Sequence, residues 1–492
     1  MTSATILGVV IGYLLILLAI GFWGGRESSD LKGYYVAGKK LPSWVIAFSS
    51  NATGESAWLL LGLTGMGYAI GVHAFWIIMG EVLGVACAWV FVARPFKEYT
   101  DRCDAITVPD YLTERFLDTS NAFRWLSAVI ILSMVVAYTA AQLTASGKAF
   151  DSFLGTGYTQ GVWIGLAIVL FYTTVGGFKA VAYSDFVQGV LMLGCLLMLP
   201  IVGMANAGGW GDMISNLRAQ DPALLEPMGA YGLTLAGVIS AAGSVAIGLA
   251  FLGSPQLLTR FMAARDQKQI VDGGFWAVLC VIGFDVGAVF GGMAGRSLFP
   301  GLADPETILP AMSAALFPAF FTGIFLVVVL AAIMSTMDSL LILASSVVVR
   351  DVVQKSLGSS ASERMLSMMG KGVTVVIGSI GLVVALLEVR VIFDFVLFAW
   401  SGIACAFTPV VLCSLYWKRT TREGAIAGMI GGFATTVIWV RVFKAGFYEL
   451  YEMIPGFAAG LLVCIVVSLV TKPDDGAITE IESVRDTVGP VF

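Results

Sequence analysis

Between residues 318 and 349 an apolar run carries Ala332, Ser335, Thr336, Asp338 and Ser339. Spacings of three and four place most of them on one helical face. A second run, Ser49-Ser50-Asn51-Ala52-Thr53-Gly54-Glu55-Ser56, is polar inside another apolar stretch, 43–71. Backbone that leaves its helix at membrane depth is tolerated only where protein or a cavity surrounds it. Carbonyls freed over Ala52–Glu55 and facing two hydroxyls would therefore present several neutral, hard oxygens. Such a set suits a weakly held monovalent cation such as sodium, whose hydration shell it can replace. The plainer alternative is that Ser335 and Thr336 bond back to their own helix.

Asp185 opens the stretch 185–206, and Asp338 and Ser339 lie about one turn beyond Ser335, so the three can meet. An acid within the membrane is a functional candidate by default. Here it fits a second cation or a gate on a release path, against the simpler reading of Asp185 as a helix N-cap. Glu55, Glu81, Asp285 and Asp394 are further acids within spans, and no Lys or Arg falls at the centre of any span. A zwitterionic or neutral solute fits that balance better than a dianion. Its carboxylate can meet a half-helix N-terminus and the sodium itself. Trp58 and Phe251 would wall the pocket and Gln142 would offer an amide. The remaining contacts are expected from the two polar or breaker-rich stretches: Asn51, Thr53, Ser56 and Ala57 from the first, and Ile247, Ser254 and Pro255 from the second.

The elements that must hold these residues are membrane helices. The chain has 492 residues, 58% hydrophobic and 12% charged, with a mean hydropathy of +0.89. Soluble domains carry about 25% charge. A helix needs about 20 apolar residues to cross the hydrocarbon core, and thirteen stretches are candidates, near 4–24, 43–71, 74–94, 123–150, 160–181, 185–206, 231–259, 273–295, 318–349, 372–389, 391–416, 424–443 and 453–470. Alternate loops hold Arg26, Lys32, Lys39, Lys40, Lys97, Arg102, Arg115, Arg260, Arg265, Lys268, Arg350, Lys355, Arg364, Lys371, Lys418, Arg419 and Arg422. The other side keeps scattered cases such as Arg218, Arg296 and Arg390. The asymmetry puts the N-terminus outside and the C-terminus in the cytoplasm of a cell inner (plasma) membrane. The lone His73 is read as lying in a short outer loop.

The stretch 231–259 is rich in breakers (Gly243-Ser244, Gly248, Gly253-Ser254-Pro255). Paired interrupted spans at corresponding places point to a transporter site at a repeat interface. Five spans counted from each give 43–206 and 231–416, and because five is odd the second set starts on the opposite face. The organisation expected is a leading helix and loop (1–42), a first repeat (43–206), an external loop (207–230), an inverted second repeat (231–416), two trailing helices (417–471) and a cytoplasmic tail (472–492) that is a short polar stretch.

At these residues the chain resembles the sodium/solute symporter family over almost its whole length. One signature is the run ending Gly176-Gly177-Phe178-Lys179-Ala180, followed by Asp185; the other is Ser414-Leu415, Arg419, Gly424-Ala425 and Gly428-Met429-Ile430-Gly431. Within the family it is most similar to sodium/proline symporters, in Ser56-Ala57-Trp58-Leu59-Leu60, Arg260-Phe261-Met262-Ala263-Ala264, Ala331-Ala332-Ile333-Met334-Ser335-Thr336 and Gly424-Ala425-Ile426-Ala427-Gly428-Met429-Ile430. The resemblance implies a LeuT-like five-plus-five inverted repeat. It implies sodium held by carbonyls of Ala52 and Glu55 with Ala332, Ser335 and Thr336, and in some members a second sodium at residues matching Asp185, Asp338 and Ser339. Two places depart from the pattern. Proline symporters carry Asp where this chain has Gly54, and a Trp and a Tyr where it has Ile247 and Phe251.

The expected function is sodium-coupled symport of a small amino acid, with L-proline leading, by alternating access. The alternatives are another small amino acid or monocarboxylate, or proton coupling through Glu55 or Asp185. No catalytic triad, Walker loop or zinc cluster suggests an enzyme or a primary pump.

Overall fold

The computed structural model describes residues 2–25, 30–387 and 392–489, so Arg26 and Arg390 of the charge pattern lie outside the described residues. Among these residues the chain is helical, and its one β-type pairing is an isolated bridge from Leu41 to Ala264. The longer helices are α1 (Thr2–Gly25), α2 (Ser43–Ala57), α3 (Phe75–Cys87), α4 (Ala122–Leu154), α5 (Tyr158–Asn206), α6 (Leu235–Ala246), α7 (Pro255–Ala263), α8 (Gln267–Leu298), α9 (Ala319–Ser346), α10 (Glu363–Leu386), α11 (Ile392–Tyr416), α12 (Arg422–Ile438), α13 (Met453–Val470) and α14 (Asp475–Val488).

Eleven helical runs among the described residues are long and apolar enough to cross a membrane, against thirteen expected. Two differences account for this. Ser43–Arg102 forms one run, interrupted at Ser56 and by a tight turn at Gly71–Ala74. The stretches 160–181 and 185–206 lie on one helix, α5, in which Gly176–Asn206 is the long apolar run and Tyr158–Phe171 only a shorter one; its break is at Gly177 (φ 64°, ψ −179°), a conformation open to glycine. Residues 182–184 are therefore no loop, and Asp185 does not cap a helix. It lies about two turns past the break, inside α5 and fully buried.

Around the break in α2, α9 is buried along nearly its whole length, while α1 and α13 present apolar faces outward. The second breaker-rich stretch is interrupted as expected: α6 gives way to a 3-10 turn over Ile247–Leu252, and Pro255 starts α7. That turn lies hard against α3. A Cβ added at Gly248 would sit 1.8 Å from the Gly80 carbonyl oxygen, and one at Gly84 would sit 2.2 Å from the Gly248 oxygen. Only residues without side chains permit such an approach between helices.

The loop expectations also change. His73 is buried: its Nδ1 lies 2.9 Å from the Pro227 oxygen and its Nε2 2.8 Å from Ser240 Oγ. The tail is not merely polar, because α14 buries Ala477, Ile481 and Val484. It receives Arg115 Nη1 at the Ala477 carbonyl (3.2 Å) and Arg94 Nη2 at the Val488 carbonyl (2.9 Å). Beside it Asp118 accepts from Ser120, Arg422 and the Phe123 amide. Burial would raise its carboxyl, but these donors outweigh burial and hold it below the usual carboxylate range.

Gly248→Ala is expected to lower the melting temperature of the purified protein in detergent, since overpacking a tight contact costs about 1–3 kcal/mol. Gly8→Ala, with nothing within 4 Å of its added Cβ, is the control. Equal melting curves for both would show that the contact between α3 and the turn carries no strain.

Candidate functional site

The site is built on the break in α2. Ser56 holds φ 47° and ψ −166°, outside the helical region and uncommon for a residue with a side chain. The amide and hydroxyl groups disturbed there are met by α4. Gln142 Oε1 accepts from the Ala57 amide (3.3 Å) and its Nε2 donates to Ser56 Oγ (3.3 Å), with the Tyr138 hydroxyl also at Ser56 Oγ (3.5 Å). Trp58 Nε1 returns to the Gly54 carbonyl (3.3 Å), and its amide reaches the Glu55 carbonyl. Gln142, expected to offer its amide to a solute, is engaged in holding the break.

On one face of α2 the carbonyls meet α9. Ser335 Oγ lies 2.9 Å from the Ala52 oxygen and 3.1 Å from the Ala332 oxygen, and Thr336 Oγ1 donates to the Thr53 oxygen at 3.0 Å. All of these residues are at most 1% exposed. The structure thus gathers Ala52, Ala332, Ser335 and Thr336 into one neutral oxygen set, with the Glu55 carbonyl one turn along α2. Ser335 bonds within its own helix and across to α2 at once, so both alternatives drawn from its sequence position occur together. Neutral, hard oxygens of this kind suit sodium because they can replace part of its hydration shell.

Asp185, Asp338 and Ser339 also come together, but around a side chain assigned from sequence to a cytoplasmic loop. Arg260, on α7, is 1% exposed. Its Nη2 lies 2.6 Å from Thr53 Oγ1 and 3.2 Å from Asp185 Oδ2 and also donates to Ser339 Oγ, while Nε donates to Ser49 Oγ (3.2 Å) and Nη1 to the Gln256 carbonyl (2.7 Å). Ser49 Oγ donates to Asp185 Oδ2 at 2.6 Å. The guanidinium occupies the middle of this acidic group, leaving Asp185 Oδ1 and Asp338 Oδ2 without donors. The short α7 folds back beneath α2, which carries the end of the span inward; length and hydropathy give no sign of that.

The expected solute contacts divide. Phe251 packs edge-on against Trp400 (centroids 5.4 Å apart), Trp400 Nε1 donates to the Ile247 carbonyl (3.2 Å), and Tyr138 lies beyond Trp400 (6.5 Å). Tyr138 and Trp400 complete an aromatic wall that sequence spacing did not reveal; both lie in apolar helices with nothing to set them apart. The Phe251 ring rests on Gly54, where a Cβ would begin 2.8 Å from Cε1. The two departures at 54 and 251 therefore lie against each other. Ile247 lines a cavity of about 490 Å³ with Met66, Ile77, Ser244, Leu397 and Tyr451. Ser254 is buried with its Oγ unpartnered, and Pro255 and Ala57 are buried beside the two breaks. Asn51 turns away to α8, donating Nδ2 to the Ala277 carbonyl at 2.6 Å. Thr53 Oγ1 faces Arg260 and Ser339 and so belongs to the acidic group.

Known proteins resemble this chain over most of its length. The model of the sodium:solute symporter family matches residues 34–432. The high-affinity proline transporter PutP of Bacillus subtilis (strain 168) is 37% identical over 473 residues, covering 94% of this chain and 98% of that protein. The sodium/proline symporter of Staphylococcus aureus (strain JH9) is 34% identical over 491 residues, 97% of this chain and 95% of the relative. Among solved structures, a substrate-bound, outward-open Na+-coupled sialic acid symporter matches with a TM-score of 0.81 at 18% identity, over 95% of this chain and 98% of its own. MhsT in complex with L-phenylalanine matches at 0.55 and 12%, covering 87% and 97%. At such identities these two likenesses are of fold.

Breaking a buried ion pair by removing one partner costs about 3–5 kcal/mol. Arg260→Gln is therefore expected to lower the melting temperature strongly, and Asp185→Asn added to it to restore part of the loss. Strictly additive losses would show that the two side chains are not energetically coupled.

Proposed function

The chain belongs to the sodium:solute symporter family, and we propose that it imports L-proline with sodium by alternating access. The observation that carries the reading is the junction of the broken α2 with α9, where Ser335 and Thr336 meet the Ala52 and Thr53 carbonyls. The relatives, a proline transporter and a sodium/proline symporter, supply the solute of this reading.

The finer organisation follows from lengths. As a straight helix, Ser43–Arg102 would extend about 90 Å, roughly three hydrocarbon thicknesses, and α5 more than 70 Å. Each of these runs therefore makes two passes, one turning at Gly71 and one at Gly177, which restores thirteen spans from eleven runs. The repeats are then 43–206 and 231–416, inverted, with α2 and the α6–α7 pair as their broken helices. Residues 1–42 lead, 207–230 form the external connection, and 417–471 and 472–492 trail. The N-terminus lies outside a cell inner membrane and the C-terminus in the cytoplasm.

In this reading sodium is held by the carbonyls of Ala52, Glu55 and Ala332 and the hydroxyls of Ser335 and Thr336, and its binding ties α2 to α9. The solute enters through the cavity above Ile247. It is held between the breaks by Ser56, Ala57, Trp58, Phe251, Ser254 and Pro255, while Gln142 and Asn51 brace α2 and shape the pocket from behind. Asp185, Asp338 and Ser339, with Thr53 and Arg260, form the gate on the release side. The guanidinium provides the positive charge that a second sodium would supply, so Arg260 must withdraw from Asp185 before the path opens or a second ion binds.

A second reading, symport of another small amino acid or a monocarboxylate, is favoured by one observation. Phe251 over Gly54 fills the place of the acid that proline symporters carry, which alters the pocket wall without touching the hydroxyl junction.

The deciding measurement is radiolabelled proline uptake into proteoliposomes under an inward sodium gradient, against a matched potassium control. Sodium-dependent uptake that excess unlabelled proline abolishes is expected. Its absence, with sodium-dependent uptake of a different solute, would establish the second reading. Ser335→Ala and Thr336→Ala are expected to raise the half-saturating sodium concentration about tenfold or more, the equivalent of about 1.4 kcal/mol per lost ligand. Unchanged sodium dependence in both would remove the hydroxyl junction as the sodium site.

A further inference from the structure

The opposite face of α2 carries a group of residues that the transport reading leaves unused. Glu55, Glu81 and Asp285 project from α2, α3 and α8, and each is at most 1% exposed. One carboxylate oxygen from each lies within 4.8 Å of the other two. None of their six oxygens accepts a hydrogen bond from any other described residue, although all are buried. Asn51, one turn before Glu55 on the same side of α2, has its Nδ2 fixed on the Ala277 carbonyl of α8 and its Oδ1 buried without a donor.

Proximity of acids alone would say little. These three come from separate helices and meet in the interior, where an uncompensated carboxylate is heavily penalised and where like charges at this distance cannot all ionise. Natural proteins satisfy nearly all buried polar atoms, and here three adjacent carboxyl groups have, among the described residues, no donor but one another's protons. The contrast with the other face of α2 is direct. There Arg260 lies among Asp185 and Asp338. No Lys or Arg among the described residues pairs with Glu55, Glu81 or Asp285.

We propose that Glu55, Glu81 and Asp285 form a carboxylate-built sodium site, separate from the hydroxyl junction with α9. The three oxygens, all within 4.8 Å of one another, are close enough for one cation to touch each, and hard oxygen ligands suit sodium. One sodium offsets one carboxylate, and the other two carboxyl groups keep their protons, so no net charge is buried. A cation here joins α2 to α3 and α8 at the residue next to the break. The hydroxyl junction joins α2 to α9 from the other side. The two ions would hold one hinge from opposite faces. The site does not depend on proline being the solute.

The test is equilibrium binding of radioactive sodium to the purified full chain, with Glu81→Gln, Asp285→Asn and Ser335→Ala compared with wild type. Glu55 is left unaltered because its backbone serves the other site. Each carboxyl variant is expected to bind one sodium fewer than wild type and to keep the ion that Ser335→Ala removes, and Ser335→Ala with Asp285→Asn is expected to lose both. Gln and Asn preserve side-chain shape, and monodispersity with retained solute binding checks folding; where one variant fails that check, the other decides. Wild-type levels of sodium in Glu81→Gln or Asp285→Asn overturn the proposal, whether the cluster then holds protons or a divalent ion. So does a wild-type stoichiometry that Ser335→Ala alone accounts for. Retention of all sodium by Ser335→Ala, with loss in the carboxyl variants, would instead refute the hydroxyl site and leave this one standing.

Discussion

A helix that stops bonding to itself inside a bilayer has no water to turn to, so the surrounding protein must supply every partner. The left-handed conformation of Ser56 imposes that condition on α2. The polar residues of the neighbouring spans can be read as responses to it. Gln142 covers the Ala57 amide and the Ser56 hydroxyl, Ser335 and Thr336 meet two carbonyls, and the Trp58 indole closes back on Gly54. These side chains lie on α4, α9 and α2 itself, elements otherwise made of apolar residues. A change in what holds the break is felt by each of them, which gives a bound ion or solute leverage over helix packing.

The fold was legible where physics acts locally. Apolar length marked most of the spans, and Gly253-Ser254-Pro255 read as an interruption because proline removes a donor and glycine frees the backbone; the chain does turn there. The hydroxyl face of α9 was legible for the same reason, since residues three and four apart share a side of a helix. Other features were set by tertiary placement and left no local mark. Arg260 sits five residues before an exposed loop arginine, yet α7 carries it under α2 to Asp185. Asp185 looked like the start of a helix because the break at Gly177 was expected several residues later. Tyr138 and Trp400 look like any aromatic in a membrane span until Trp400 is seen packed between Tyr138 and Phe251.

The departures from the proline-symporter pattern carry information of another kind. Taken singly, Gly54 and Phe251 weaken the inference of a shared solute. Both lie at one contact, because the ring edge of Phe251 occupies the volume where a side chain at 54 would begin. An acid restored at 54 would have to displace that ring. The acid at 55 points elsewhere, as the roughly 100° between successive helical residues requires, and it finds Glu81 and Asp285.

That redirection gives α2 two unlike electrostatic faces. Toward α7 and α9, Asp185 and Asp338 are balanced by a guanidinium on a helix of the protein itself, a charge that is always present and moves only if α7 moves. Toward α3 and α8, three carboxyl groups have no such partner. Both faces are equally buried and penalise uncompensated charge alike, so the second is balanced by its own protons together with the ion proposed there. A fixed cation on one side and an exchangeable one on the other give the hinge a direction. Occupancy of the carboxylate face can change with the ion concentration to which it is exposed, while the guanidinium face responds only to rearrangement of the helices.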